Sequence, residues 1–91
     1  MKVEQFYALN QFHLYGEGKQ CLQSYNSLVV KIENYTITLG RDWDYSTTTS
    51  KYVYMFLEEY TDLPIGREKN KRNYIRKLIE NGTIMYDENM Y

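Results

Sequence analysis

The sequence is poor in the residues that most often announce a chemistry. It holds one cysteine, one histidine and one proline in 91 residues. A lone cysteine excludes an internal disulfide framework and suits a reducing cytosol. One His and one Cys are too few for a closed zinc site. Asp42 and Asp44, with Asp62 or Glu58, would hold a cation only weakly, and their spacing does not match an EF-hand loop. No run of eighteen apolar residues is present, so no membrane span is expected. The opening MKVEQFYALN is interrupted by Glu4 and Gln5, so it is not expected to act as a signal peptide. No glycine-rich phosphate loop is present, because Gly16-Glu17-Gly18 reads as a hairpin turn. Glu58 and Glu59 are adjacent on an expected helix and point apart, which leaves general acid–base chemistry without a home. An excess of one charge is also missing: the net charge is −1, so no global field steers a partner. The expectation is a non-enzyme without cofactor or metal.

What the chain does have is tyrosine, eleven against three Phe and one Trp. Tyr packs its ring and keeps a polar tip, which suits half-buried positions and binding surfaces. The plainer explanation is a small core that uses Tyr where others use Phe. At 43% hydrophobic and 25% charged, the composition is that of an ordinary globular protein, expected to form a single domain over residues 1–91.

Residues 1–9 read equally as a short helix or an edge strand. QFHLY and KQCLQSY flank Gly16-Glu17-Gly18, which predicts a hairpin with a three-residue loop. Symmetry about Glu17 would pair Phe12 with Leu22 and His13 with Cys21. A facing Cys–His pair can make a thiolate nucleophile, but no third group is placed to orient the imidazole, so packing is the expected role. SLVVKIE and TITLG flank Asn34-Tyr35. Their period-two alternation of Leu28, Val30 and Ile32, then Ile37 and Leu39, predicts a second hairpin with one buried face. A helix is expected over roughly Thr48 to Thr61, with Tyr52, Val53, Phe56, Leu57 and Tyr60 as its apolar stripe. Pro64 and Gly66 break it. A second helix is expected over roughly Glu68 to Asn81, with Tyr74, Ile75, Leu78 and Ile79 as its stripe and Gly82 as its C-cap. TIMY reads as a short closing edge strand. The fold class is α+β: an antiparallel meander of three to four strands packed against two C-terminal helices.

Two stretches are candidates for contact. REKNKRNYIRK carries six positive charges and one negative. On a helix, Lys69, Arg72 and Arg76 would line up beside Tyr74. Such a stripe follows phosphates or an acidic protein surface, or is a solvated helix face. The second stretch is WDYSTTTSKYVYMFL. One hydroxyl among Ser46, Thr47, Thr48 and Thr49 suffices to cap a helix. Four in a row exceed that need. The surplus, with Lys51 nearby, would form an anion pocket at the helix N-terminus, with Trp43 and Tyr45 beside it for a partner.

LQSYNSLVVKIENYTITL followed by WDYSTTTSKYVYMFL resembles a small domain of unknown function from phage, plasmid and mobile-element genes of Gram-positive bacteria. The shared pattern is Ser-Tyr, a β-hairpin, then Trp-Asp-Tyr-Ser-x-Thr-Thr-x-Lys opening a helix, and the resemblance covers about residues 22 to 60. It transfers no catalytic residue. It implies a setting, the cytoplasm of a bacterial host, in which small cofactor-free proteins block host machines; anti-CRISPR proteins are the obvious class. The expected function is therefore a stoichiometric protein-binding inhibitor. Its partner would be a bacterial protein such as a defence nuclease. The expected contact residues are Lys69, Arg72, Arg76, Tyr74, Trp43 and Tyr45. The rival expectations are a small nucleic-acid-binding module using residues 67–77, and a homo-oligomerising domain.

Overall fold

The fold, a computed structural model, is described for residues 1–90. Six strands form one sheet in sequence order: β1 (Lys2–Gln5), β2 (Gln11–Gly16), β3 (Lys19–Ser24), β4 (Ser27–Glu33), β5 (Thr36–Gly40) and β6 (Ile84–Asp87). The first five pair antiparallel, and β6 adds to β5 in parallel. Between β5 and β6 come helix α1 (Thr47–Tyr60), a single 3-10 turn (Ile65–Arg67) and helix α2 (Lys71–Glu80). The class is α+β, with a meander longer than the expected three to four strands. Parallel pairing requires a crossover, and the two helices supply it.

Turn chemistry sets the hairpins. Glu17 and Gly18 have φ of 51° and 78°, and Asn34 and Tyr35 have φ of 52° and 62°. Two consecutive positive φ values mark two-residue turns whose twist matches the strands. The first loop is therefore Glu17-Gly18, with Gly16 paired to Lys19 inside the sheet. This corrects the expected register by one residue. His13 faces Leu22, and Leu14 faces Cys21. A one-residue slip moves every side chain to the other face, so His13 and Cys21 lie on opposite sides of the sheet.

A bulge interrupts the second expected pattern. Leu22 pairs with Val30 but Gln23 pairs with Leu28, which leaves Val29 as an extra residue on β4. Val29 and Val30 are both fully buried, whereas Leu28 is only half-buried. At the end of β5, Gly40 is forced by close approach, because a Cβ there would sit 2.4 Å from the Leu28 carbonyl oxygen.

The core lies on one face of the sheet. Leu22, Val30, Ile37, Leu39 and Ile84 meet Val53, Phe56 and Leu57 of α1, Ile65 of the 3-10 turn and Ile75 of α2. Helix α1 crosses the sheet: Thr49 near its start bonds Ser24 on β3, and Tyr60 at its end bonds His13 on β2. The opposite face carries the cross-strand row Val3, Leu14, Cys21, Lys31, Thr38 and Met85. Helix α2 begins three residues later than expected, because Asn70 caps it by accepting the Asn73 N–H.

Candidate interaction surface

The segment between β5 and α1 is folded by its own backbone. Trp43 N–H donates to the Gly40 carbonyl and Tyr45 N–H to the Asp42 carbonyl, each at 3.1 Å. This winding turns the Trp43 indole into the core, where it is 4% exposed. Trp43 therefore cannot serve as an exposed partner contact, contrary to expectation. Tyr45 is turned the other way and is 80% exposed.

The four hydroxyls have three fates. Ser46 is the N-cap of α1, its Oγ accepting the Thr49 N–H at 3.1 Å. Thr49 is buried and its hydroxyl bonds Ser24 Oγ at 3.1 Å, pinning the first turn of the helix to β3. Thr47 and Thr48 are exposed. The surplus hydroxyl thus goes partly to a buried helix–sheet bond. The hollow beside the helix start, about 330 Å³, is lined by Ser24, Tyr25, Asn26, Asp42, Tyr45 and Thr49 among others, and by no Lys or Arg. The Asp42 carboxylate within it accepts from Ser27 Oγ at 2.7 Å. Its other oxygen, Oδ1, lies 3.8 Å from Arg41 Nε, so the nearest cation is paired with this carboxylate. Lys51, expected to serve this pocket, lines a different groove. The anion pocket is not assembled at the start of α1.

The basic stripe is also rearranged. Lys69 lies before α2, in the bend that leads to the Asn70 cap, so it does not share a helix face with Arg72 and Arg76. Both arginines reach Asp44. Arg72 donates to the Asp44 carbonyl at 3.0 Å and its Nε lies 3.7 Å from the carboxylate; Arg76 Nη2 lies 3.4 Å from the same carboxylate. Tyr74 is half-buried against the core. Asp44 is thus committed to two arginines, and among the described residues no group of three or more His, Cys, Asp or Glu is gathered for a metal. Cys21, 4% exposed, has its thiol pKa raised by burial, which disfavours the thiolate that a nucleophile needs. No helix of the described residues is long and apolar enough to cross a membrane.

What the tertiary structure does assemble is an exposed apolar row at the end of the sheet where α1 starts. The β1–β2 loop meets the β3–β4 turn through Tyr25 N–H donating to the Asn10 carbonyl at 2.6 Å. Tyr25 and Tyr45 line the same hollow. Leu9 is 79% exposed and Tyr25 51% exposed. Tyr25 also has a φ of 56° while Asn26 does not share a positive φ, a turn pattern that favours glycine at the first position. A bulky side chain held there costs about 1 kcal/mol or more. Sequence reasoning missed Leu9 and Tyr25; the "SYN" between two strands was the signal, since it marks a hairpin tip.

A family model of unknown function, DUF8033, matches residues 1–80. The chain belongs to that family. The match runs from before β1 to the last residue of α2, so β6 lies beyond it. Neither a curated protein nor a solved structure is found to be similar to the chain.

Proposed function

We propose that the chain is a stoichiometric protein-binding module without catalytic turnover, encoded by a phage or mobile element and acting on a bacterial host protein such as a defence nuclease. The observation that carries the reading is the pair Tyr25 and Tyr45, exposed on one hollow, with Leu9 exposed in the β1–β2 loop whose Asn10 carbonyl accepts from Tyr25 N–H. Three large apolar side chains held on well-formed turns are the raw material of an interface hot spot, and Tyr is among the residues most enriched there. The strained backbone of Tyr25 adds support: stability alone would be better served by Gly or Asn at that tip. The polar surroundings, Asn10, Asn26 and Asp42, would form the rim.

The test compares the wild type with a variant carrying Leu9→Ser, Tyr25→Asn and Tyr45→Ser. Both are expected to fold, the variant at least as stably as the wild type because Asn tolerates the positive φ at position 25. The reading expects the wild type to recover one partner at fixed stoichiometry from a bacterial lysate and to suppress a nuclease-based defence in cells. The variant should do neither. Equal recovery by both proteins would overturn the choice of surface. Binding of nucleic acid that weakens steeply with salt would favour the rival reading instead, although two of its three cations, Arg72 and Arg76, are engaged with Asp44.

A further inference from the structure

The sheet ends in two edge strands, β1 and β6. All four residues of β1 are exposed, so neither helix nor loop of the described residues covers it. The unpaired N–H and C=O groups of an edge are a template for another strand. Natural edges often carry charge against such pairing, because a stray strand then meets an uncompensated ion. The charges of β1 have the opposite consequence for a strand of its own sequence.

Lys2 and Glu4 flank Val3 and share one face of the strand, while Val3 lies on the other. An antiparallel copy centred on Val3 sets Lys2 opposite Glu4 of the second copy, Glu4 opposite its Lys2, and Val3 opposite Val3. Centring on Lys2 or on Glu4 would oppose like charges. Centring between neighbours would set Val3 against an ammonium or a carboxylate. One register is therefore complementary, and cross-strand pairs of opposite charge favour it as like charges disfavour the others. Both ions are available: among the described residues neither Lys2 nor Glu4 takes part in an ion pair. Glu4 Oε1 accepts the Tyr15 hydroxyl at 2.8 Å, which positions the carboxylate, and a carboxylate accepts further bonds.

The other face supplies an apolar contact. Val3, 58% exposed, pairs with Leu14, and Leu14 pairs with Cys21. The core and the helices lie on the opposite side of the sheet. Joining two edges about Val3 continues this row across the symmetry axis, Cys21, Leu14 and Val3 meeting the same three residues of the second copy in reverse order.

We propose that the chain forms a symmetric dimer by antiparallel pairing of β1 with β1 of a second copy, in the register centred on Val3. This contact is isologous and closes on itself, whereas β1 against β6 would repeat without end. Pairing through one short strand stays below the roughly 1,200 Å² of standard interfaces, so the dimer is weak and reversible. It uses none of Leu9, Tyr25 and Tyr45 and does not depend on the function proposed for them.

The test is sedimentation equilibrium of the full chain from micromolar to millimolar concentration, which should show monomer and dimer and nothing larger. In a mixture of isotope-labelled and unlabelled chains, the Val3 methyls should show intermolecular NOEs to Val3. Lys2→Glu and Glu4→Lys should each weaken self-association by about tenfold, because both charge pairs become repulsive. The two single variants mixed together should associate, since each supplies the charge that the other lacks. The double exchange, Lys2→Glu with Glu4→Lys, should restore the wild-type affinity. Both positions are exposed, so the unfolding midpoint should not move in any of these variants. A monomer throughout the concentration range would overturn the proposal. So would undiminished association in both single variants, failure of the double exchange to restore it, or growth beyond the dimer.

Discussion

The two helices of this fold are held in different ways. Helix α1 buries Thr49, Ser50, Val53, Phe56 and Leu57, while α2 buries only Ile75. Phe56 alone contacts the rings of Phe6, His13 and Tyr60 at centroid distances of 5.3, 5.4 and 4.8 Å. Helix α2 leans on half-buried Tyr74, Leu78 and Ile79 and on two exposed arginines that reach Asp44. Burial is the dominant stabilising term, and exposed ion pairs contribute little. The lesson is one of rank: α1 is part of the global core, whereas α2 is a peripheral element able to open without the rest. A groove lined by residues of both helices lies where the deeply buried helix meets the peripheral one.

The strongest way to break this comparison is to cut each helix's main anchor. Phe56→Ala should cost about 3–5 kcal/mol in urea unfolding. Ile75→Ala should cost about 2–3 kcal/mol, the low end for its type, because a peripheral site collapses more easily. Equal losses would refute the ranking. The caps provide a finer contrast. Ser46→Ala and Asn70→Ala should each remove about 1 kcal/mol of helix stability. Only Ser46→Ala should lower the global unfolding midpoint by that amount. Asn70→Ala should appear chiefly as faster amide exchange within α2.

Asp44→Asn removes the carboxylate shared by Arg72 and Arg76, whose side chains are 49% and 55% exposed. With solvent screening, the expected loss is below about 1 kcal/mol and shrinks further as salt is added. Local exchange in α2 should rise more than global stability falls. The smallest effect sits at the far end of α1. Burial, followed by Glu59, raises the Tyr60 phenol pKa above its ordinary value of 10.0. A folded pKa above the unfolded one means the native state holds the proton more tightly. That stabilisation is complete below the unfolded pKa and is lost as pH rises through the folded pKa. Tyr60→Phe should remove a component that ionises above pH 10.0 from the tyrosinate absorbance titration and should flatten the alkaline fall in stability.

The parts of the fold written in local pattern were legible. The β4–β5 hairpin follows from alternation and its turn, and α1 from its stripe and hydroxyl cap, one residue from the expected start. The β2–β3 register was not. Two glycines around Glu17 look like a three-residue loop, yet a two-residue turn fits the twist, and Gly16 joins the strand. Strand β1 was ambiguous because all four of its residues are exposed, leaving no burial pattern to read. The basic stripe was drawn on a helix that Asn70 starts only at Lys71, so Lys69 falls outside it. Of the residues expected to contact a partner, Tyr45 and Lys69 are exposed, Arg72 and Arg76 are exposed but engaged with Asp44, Tyr74 is half-buried, and Trp43 is in the core. Leu9 and Tyr25 escaped notice because a hairpin tip shows its exposure only once its neighbours are placed.

Sequence alone determined the α+β class, the central hairpins and both helices, because periodicity, caps and composition act within a few residues. Tertiary structure decided which face each residue takes and what it meets. The Val29 bulge, the Ser24–Thr49 bond, the Asp44–arginine pairs and the parallel pairing of β6 join residues far apart in the chain. So does the groove that gathers Ser50 with Lys71. Such contacts depend on register and packing angle, and no local pattern encodes either.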